Sequence, residues 1–377
     1  MGRRCWLARS ELATFTFRAV LYIRRVIDTQ EKLAAFLPVL RAASWVAVDT
    51  EADSLHAYPE KVCLIQISTA AGDRLVDPLA DLDLDALLEA LSGHELIMHG
   101  ADYDLRLLEK HHQFVPATIF DTMLAARLVG HRQFGLSHLV KHYLGVELDK
   151  GSQKANWAIR PLTGRMEHYA RNDTHYLKPL SDRLKTELTD KGRFAWHQES
   201  CVRLIEECTR PQSVDMDVVW RVRGSHALNR AGLAVLRELW QWREAEAVAA
   251  NRPPFFILSH ETLVDVAAAA PGGGDVESLL PRRLPEPRRS GLLRAIHHAL
   301  SLPPEKHPEF IKHKAHYPTE AEKRRFLELQ KRRDLHAAQL DIDPTLLASK
   351  ATLSDLAQNW EKYSPQLMNW QRELLLR

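Results

Sequence analysis

The pattern of apolar and polar positions divides the chain into an N-terminal part with strands and a C-terminal part without them. Apolar runs bounded by polar or turn residues predict strands at Leu21–Ile27, Trp45–Val48, Val62–Ser68, Arg74–Val76 and Glu95–Met98. A capping box formed by Asp28 and Glu31 predicts a first helix through about Leu40. Helical periodicity predicts further helices at Leu82–Leu91, Asp102–His111, Asp121–Val129, Leu136–Tyr143 and Gly164–Leu188. The turn Ala71-Gly72-Asp73 joins two strands in a hairpin, so residues 21–195 are expected to form an α/β domain with a mixed sheet.

Beyond about Phe194 the chain reads as helices joined by proline-rich stretches. An internal repeat runs through this region at an offset of 90 residues, with ten identities in thirty aligned positions. The identical residues are Glu238, Leu239, Arg243, Ala247, Pro254, Ser259, Thr262, Leu263, Asp265 and Ala267, which recur from Glu328 to Ala357. The repeat predicts two similar all-α domains, residues 210–302 and 303–377.

Composition adds limits on the class of protein. The 377 residues are 45% hydrophobic and 27% charged, which is typical of a soluble globular protein with two or three domains. The formal net charge of +2 does not by itself indicate a nucleic-acid partner. Between Pro281 and Leu335, however, fourteen Lys and Arg stand against seven Asp and Glu. This excess predicts either a phosphate-binding surface or solvated helix faces.

Cysteine usage and the N-terminus bear on location. Four scattered cysteines offer no disulfide framework, so a reducing compartment and a cytoplasmic location are expected. No stretch approaches about 18 uninterrupted apolar residues, so no membrane partner is expected. Residues 1–20 are rich in arginine and poor in acids, as in a transit peptide, but they lack a clear hydrophobic region, so a disordered N-terminal extension is predicted in preference.

The most specific chemical feature is Asp49-Thr50-Glu51, which follows the strand Trp45–Val48. Residues two apart on a strand point to the same side, so Asp49 and Glu51 present two carboxylates together. Two like charges at this separation cost free energy unless a cation lies between them. A solvated strand end is the alternative interpretation of this pair.

Two later segments supply further candidate groups. Asp104 lies with Asp102 in the first turn of a predicted helix, where acids also serve as simple N-terminal charges. Tyr169 and Asp173 are four residues apart and therefore share a face of a helix. Beside a metal-bound carboxylate, a tyrosine hydroxyl can orient a water or help to deprotonate it. Taken singly, Tyr169 can be a packing residue and Asp173 a surface acid.

Together, the acids Asp49, Glu51, Asp104 and Asp173 predict a site for hard divalent cations, which prefer oxygen ligands. Two such ions about 3.5–4 Å apart can stabilise both the attacking and the leaving oxygen of a phosphoryl displacement. The sequence contains no thiol or histidine cluster that offers a competing zinc site. The pattern therefore favours phosphoryl-transfer chemistry.

The strings D-T-E, H-x-x-x-x-D-L-x-x-L and Y-x-x-x-D, in this order, resemble the three exonuclease motifs of the DEDD superfamily. Residues 22–190 are most similar to the ribonuclease D family. Supporting strings are Leu64-Ile65-Gln66-Ile67, Phe120-Asp121-Thr122, Trp157-Ala158-Ile159-Arg160-Pro161-Leu162-Thr163 and Tyr176-Leu177-Lys178-Pro179-Leu180. One departure is Ala155-Asn156-Trp157, where the family usually has Ser-Asp-Trp, so the polarity of the middle residue is kept and its charge is lost.

The resemblance implies an RNase H-like exonuclease domain and two Mg²⁺ or Mn²⁺ ions per site. It implies that Asp49, Glu51 and Asp173 hold one ion. Asp49 also contacts the second ion, which Asp104 supports through water. Tyr169 is implied to position the nucleophilic water.

His168 offers an alternative to Tyr169, because a second branch of the superfamily has histidine five residues before the last aspartate. On a helix of about 3.6 residues per turn, an offset of four separates two side chains by roughly 40° and an offset of five by roughly 140°. Tyr169 therefore faces Asp173 more naturally than His168 does. The surrounding strings also resemble the tyrosine branch, so we predict a role for Tyr169.

Residues from Pro211 to about Leu302 resemble the HRDC domain, a small helical module implied to bind nucleic acid. The resemblance is carried by Trp220-Arg221-Val222-Arg223-Gly224, Leu239-Trp240-Gln241-Trp242-Arg243-Glu244 and Arg252-Pro253-Pro254-Phe255. The second copy is more degenerate, with Lys331-Arg332 at the positions of Gln241-Trp242. The expected architecture is thus an exonuclease domain followed by two HRDC-type domains.

The acids favour phosphoryl chemistry, and the family resemblance implies a 3′→5′ exoribonuclease that releases nucleoside 5′-monophosphates and processes the 3′ ends of tRNA precursors and other structured RNAs. Its expected partner is RNA with a free 3′ end, and no obligate protein partner is inferred. One alternative is a 3′→5′ exodeoxyribonuclease in DNA repair, since the sequence shows no 2′-hydroxyl contact. Another is an inert RNA-binding protein, which would predict loss of at least one acid, and none is missing.

Overall fold

The fold of the N-terminal part is a six-stranded mixed sheet with helices around it. The computed structural model describes residues 26–149, 151–210, 215–311 and 316–376. The strands are β1 (Val26–Ile27), β2 (Val46–Ala52), β3 (Val62–Thr69), β4 (Gly72–Val76), β5 (Glu95–Met98) and β6 (Thr118–Asp121). Their order in the sheet is β1-β4-β3-β2-β5-β6. β3 pairs antiparallel with β2 and β4, whereas the remaining pairs are parallel.

Eight helices belong to this part of the described chain. They are α1 (Gln30–Arg41), α2 (Asp85–Ser92), α3 (Asp102–His112), α4 (Thr122–Val129), α5 (Leu136–Leu144), α6 (Gly164–His175), α7 (Leu177–Asp190) and α8 (Phe194–Thr209). The predicted mixed sheet with flanking helices is confirmed. Strands β3 and β2 are the two central strands of the sheet, and every residue of β3 is buried.

Two local predictions are wrong in detail, and one strand was not predicted. The cap of α1 is Thr29 rather than Asp28, because the Thr29 side chain accepts the hydrogen bond from the Lys32 amide. The segment Thr118–Asp121 is a strand that the pattern did not predict. The predicted helix Gly164–Leu188 is two helices that meet at Tyr176. The predicted extension at residues 1–20 lies outside the described residues, as do the first five residues of the predicted strand Leu21–Ile27.

The C-terminal part of the described chain is helical. Its helices are α9 (Arg230–Ala250), α10 (Pro254–Ile257), α11 (His260–Ala269), α12 (Glu286–Ser301), α13 (Glu320–Leu340), α14 (Lys350–Gln358), α15 (Trp360–Tyr363) and α16 (Asn369–Leu376). None of the helices in the described part of the chain is both long and apolar enough to cross a membrane. Cys63, Cys201 and Cys208 are buried free thiols.

The 90-residue repeat recurs in the structure. Helices α9 and α13 begin and end at equivalent residues, and each is followed by a residue with positive φ, Asn251 at 47° and Asp341 at 50°. The Arg243 guanidinium donates to the carbonyl of Leu258 at 3.4 Å. The equivalent Arg333 guanidinium donates to the carbonyl of Ala348 at 3.2 Å. The two segments therefore share one helical plan.

By its internal contacts the chain forms two compact units. The first unit takes in the described residues up to Ala52, Val62–Arg210 and the chain from Tyr317. The second unit takes in Asp53–Lys61 and the described residues between 211 and 316. Its core surrounds the buried Trp220 and the apolar face of α9. The boundaries at residues 195, 210 and 302 stay predictions.

Candidate active site

Three carboxylates meet where the end of β2 faces α6. Asp49, Glu51 and Asp173 each offer an oxygen that lies within 4.8 Å of the others. Asp49 and Glu51 lie on the same side of β2, and Asp173 lies on α6. The helix α6 is held against the sheet by a 2.7 Å hydrogen bond between the buried hydroxyls of Ser68 and Thr174. This arrangement fixes Asp173 opposite the strand.

Asp104 lies in the same cleft but is not a member of this group of three. It lies in the first turn of α3 and is 6% exposed. Its Oδ1 accepts hydrogen bonds from the Thr50 amide at 3.1 Å and from the Thr50 hydroxyl. Asp104 is therefore fixed by the residue that stands between Asp49 and Glu51.

The electrostatics of the site favour a bound cation. Burial, followed by repulsion from the neighbouring acids, holds the pKa of Asp49 well above its usual range. Burial, with repulsion from Asp173 and Asp104, raises the pKa of Glu51 to about 9. Burial also raises the pKa values of Asp104 and Asp173 to about 7. The protein alone thus leaves these carboxylates poorly compensated at neutral pH.

The donor set fits hard divalent cations. All the candidate ligands are carboxylate oxygens, which Mg²⁺ and similar ions prefer. Gln66 pairs with Asp49 across β2 and β3. Both polar atoms of its buried amide lack a hydrogen-bond partner among the described residues. A buried amide without hydrogen-bond partners beside these acids is expected where bound ions or water supply the missing partners.

An open cleft of about 410 Å³ gives access to the acids. Its lining contains all four predicted acids, a fifth acid, Asp149, and Tyr169. The other lining residues are Thr50, His99, Tyr103, Gly135, Leu136, Ser137, Leu148 and Gln153. The side chain of Tyr169 is partly buried in this cleft, and its ring packs 6.0 Å from the ring of Trp157. His168 is exposed on α6 and lies 3.1 Å from the amide nitrogen of Asn172. Of these two neighbours, Tyr169 is therefore the one that lines the cleft.

A buried network positions the start of α3. Asp121 ends β6 and caps α4 by accepting from the amides of Met123 and Leu124 at 2.8 and 2.9 Å. Its other oxygen accepts from the amide of Ala101 at 2.8 Å, in the turn that precedes α3. The predicted supporting string Phe120-Asp121-Thr122 thus holds the helix that carries Asp104.

The segment with Trp157 is fixed by hydrogen bonds from Arg160. The Arg160 guanidinium donates to both carboxylate oxygens of Asp77 at 2.6 and 2.7 Å and to the carbonyls of Cys63 and Trp157. Trp157 is 1% exposed. Asn156, where the family pattern usually has aspartate, accepts from the amide of Ala158 at 3.1 Å. The asparagine therefore retains a local role in the turn.

Two residues near the acids were not predicted to be functional. His99 lines the cleft, and Thr50 binds Asp104. Both are fixed positions of the quoted strings, His99 in H-x-x-x-x-D-L-x-x-L and Thr50 in D-T-E, so the motifs marked them although no role was predicted for either. Gln66 was also not predicted to be functional, although the sequence marks it, because its amide interrupts the apolar run at the start of the buried strand β3.

Comparison with known proteins finds two families that match parts of the chain. The 3′–5′ exonuclease family model matches residues 24–189, and the HRDC domain model matches residues 232–275. Fold and site thus define the class of protein as a 3′–5′ exonuclease with an HRDC domain. The HRDC match falls within the first of the two predicted helical domains.

Two relatives named ribonuclease D extend the match. The protein from Zymomonas mobilis is 35% identical over 67% of this chain and 65% of its own length. The protein from Granulibacter bethesdensis is 31% identical over 93% of this chain and 90% of its own length. The chain belongs to the ribonuclease D family. The predicted family and the predicted enzyme class, a 3′→5′ exoribonuclease, are confirmed.

A solved structure supports the fold over almost the whole chain. The crystal structure of Escherichia coli RNase D matches with a TM-score of 0.72 and 24% identity, covering 93% of this chain and 98% of that one. This likeness concerns the architecture. Membership of the family also implies divalent metal ions, which the acidic cluster can hold.

Proposed function

We propose that the chain hydrolyses RNA from its 3′ end and releases nucleoside 5′-monophosphates, using two divalent cations held by Asp49, Glu51, Asp104 and Asp173. The observation that carries this proposal is the convergence of oxygens of Asp49, Glu51 and Asp173 within 4.8 Å of one another, in residues that line an open cleft. Such a group of acids is costly without cations, and phosphodiester hydrolysis is a reaction that two cations assist.

Asp49, Glu51 and Asp173 would hold one cation. Asp49 would be shared with a second, and Asp104 would support that second ion through water. When bound, the cations would activate a water and stabilise the charge that develops on the phosphoryl oxygens. Asp104 is suited to an indirect role because its Oδ1 is already engaged by Thr50.

Tyr169 would orient the attacking water rather than deprotonate it. Burial, followed by repulsion from Asp173, Glu51 and Asp49, raises the pKa of the Tyr169 phenol far above its usual value. The phenol therefore keeps its proton at neutral pH and acts as a hydrogen-bonding group. The hydroxyl would orient the water, and bound cations would lower the pKa of that water.

The substrate we propose is RNA with a free 3′ end, including tRNA precursors and other structured RNAs. Support comes from the relatives named ribonuclease D and from Escherichia coli RNase D, which is described as an exoribonuclease involved in structured RNA processing. The HRDC segment would add binding to phosphates, which weakens with salt and carries little sequence information. We further propose that the enzyme acts in the cytoplasm and needs no obligate protein partner.

A labelled-strand assay tests this proposal. RNA and DNA of one sequence, labelled at the 5′ or the 3′ end, are incubated with Mg²⁺ or Mn²⁺ and with wild type or Asp49→Ala. We expect the wild type to shorten RNA stepwise from the 3′ end and Asp49→Ala to lose at least about 10³-fold in rate. Asp102→Ala, which removes a nearby exposed acid, is the matched control and should retain activity. Equal digestion by Asp49→Ala would refute the metal mechanism, and a preference for DNA would refute the proposed substrate.

A further inference from the structure

His99 is held in the cleft by a short chain of hydrogen bonds. It directly follows β5, and its Nδ1 lies 2.9 Å from the hydroxyl oxygen of Thr122. That hydroxyl in turn donates to the carbonyl of Met98 at 3.0 Å. Thr122 is fully buried at the first position of α4, so the chain is fixed at both ends.

These two hydrogen bonds determine the tautomer of His99. A threonine hydroxyl has a single proton, and here that proton is donated to Met98. The Thr122 oxygen can therefore only accept from His99, which places a proton on Nδ1. In a neutral imidazole the other nitrogen, Nε2, is then a hydrogen-bond acceptor. Burial lowers the pKa of His99, which agrees with a neutral ring at neutral pH.

The acceptor nitrogen belongs to a side chain that lines the cleft of the acids. Among the described residues, Nε2 of His99 has no hydrogen-bond partner, and it is not one of the fully enclosed orphaned atoms. A fixed lone pair in this position selects ligand groups that carry a proton. Phosphate oxygens carry none at neutral pH, whereas the ribose hydroxyls of a nucleotide do.

We propose that Nε2 of His99 accepts a hydrogen bond from a ribose hydroxyl of the 3′-terminal nucleotide, and that His99 is therefore a positioning residue for the strand end. The inference rests on the proposed function and deepens it. Every ribonucleotide carries the same hydroxyls, so such a contact is independent of base sequence. The 2′- and 3′-hydroxyls share this chemistry, and the substrates of the test separate them.

The test combines one variant with three substrates. His99→Asn keeps an N–H near the position of Nδ1 and removes Nε2. The substrates are one RNA sequence whose last nucleotide is unmodified, 2′-deoxy or 3′-deoxy. We expect one deoxy substrate to lower kcat/KM of the wild type by roughly three- to tenfold, the strength of one neutral hydrogen bond. His99→Asn should lose a similar factor on unmodified RNA and lose nothing further on that same deoxy substrate.

Additive losses in every combination would overturn the inference, because the variant and the missing hydroxyl would then act independently. Thr122→Val and Thr122→Ser give a second route if His99→Asn does not fold. The serine keeps the hydroxyl that fixes Nδ1 and should keep the wild-type discrimination, whereas the valine should reduce it. Equal discrimination by both Thr122 variants would also refute the inference. Digestion of unmodified RNA by the wild type reports separately on the proposed function.

Discussion

The clustered carboxylates repel one another, and replacing one of them by a neutral residue should relieve part of this repulsion. A carboxyl whose pKa is higher in the folded than in the unfolded chain contributes stability at low pH, and this contribution is lost as the pH rises through the folded value. For Glu51 this window runs from about 4.5 to about 9. Without a bound cation, the acids therefore destabilise the first unit more at pH 8 than at pH 5.

We predict that Asp49→Asn stabilises the metal-free protein at pH 8. Removing one of the mutually repelling charges should raise the free energy of unfolding by on the order of 1–2 kcal/mol, with a smaller gain at pH 5. Adding Mg²⁺ should raise the Tm of the wild type and leave that of the variant nearly unchanged. Thermal unfolding in chelator and in Mg²⁺ measures both effects. Asp102→Asn is the control, and an equal response to Mg²⁺ in Asp49→Asn would contradict the assignment.

A second prediction separates Tyr169 from His168. Tyr169→Phe removes the hydroxyl that is proposed to orient the water, so kcat should fall roughly 10²-fold with little change in KM. His168→Ala removes an exposed side chain that contacts Asn172, and its rate should stay within about twofold of wild type. Steady-state kinetics on one RNA compares them. A larger loss in His168→Ala than in Tyr169→Phe would reverse the assignment.

For single residues, the sequence predicts the acids of the site better than it predicts the side chains that contact them. Asp49 and Glu51 follow from strand alternation, and Asp173 follows from its motif, because these groups need only spacing and charge. Thr50 and His99 do not follow, since their roles depend on contacts with Asp104 and Thr122, which are far away in sequence. Spacing within one element cannot reveal partners that the fold supplies.

Among the elements, β6 shows how a four-residue strand can escape prediction. Thr118–Asp121 is too short for a clear alternating pattern, and its last residue also caps the next helix. The break between α6 and α7 has a local cause that the sequence does contain. Pro179 lacks an amide proton and is tolerated in the first turn of a helix, so α7 begins anew just before it.

The third prediction concerns Asp121 as the link between β6, α3 and α4. Asp121→Ala removes the acceptor for three backbone amides and should lower the free energy of unfolding by about 2–3 kcal/mol. Because the turn before α3 then loses its anchor, kcat should fall as well. Asp121→Asn keeps a carbonyl acceptor and should recover part of both losses. Urea unfolding and RNA digestion measure the two effects. If Asp121→Ala has the free energy of unfolding and the kcat of the wild type, this role is contradicted.

At the scale of the whole molecule, the repeat predicts that its two copies share a helical plan. It does not predict which core each copy joins. The offset of 90 residues shows that α9 and α13 share a plan, yet the two copies fall in different compact units. The second copy contributes Ala337, Ile342, Leu347 and Trp370 to the core that contains α4, α5 and α7. Arg193 joins the same parts, since its guanidinium donates to the carbonyls of Leu128 and Leu340 at 2.6 and 2.7 Å. An internal repeat cannot disclose which surface each copy buries.

The last prediction tests this packing. The ring of Trp370 is 4% exposed and stacks on Trp196 with centroids 5.0 Å apart and planes at 13°. Trp370→Ala should therefore cost about 3–5 kcal/mol and should accelerate hydrogen exchange within α4, α7 and α8 of the exonuclease part. Trp220→Ala removes an equally buried ring from the second unit and should accelerate exchange in α9 and α12.

Exchange measured peptide by peptide distinguishes two descriptions of residues 317–376. If this segment is an independent domain, Trp370→Ala should loosen α13 to α16 alone, and the temperature at which exonuclease activity is lost should not change. If it completes the core of the first unit, exchange in α7 and α8 and the loss of activity should shift together. We expect the second result, because Asn369 donates to the Glu199 carboxylate at 2.7 Å beside the stacked tryptophans, so both a polar and an apolar contact join this segment to α8.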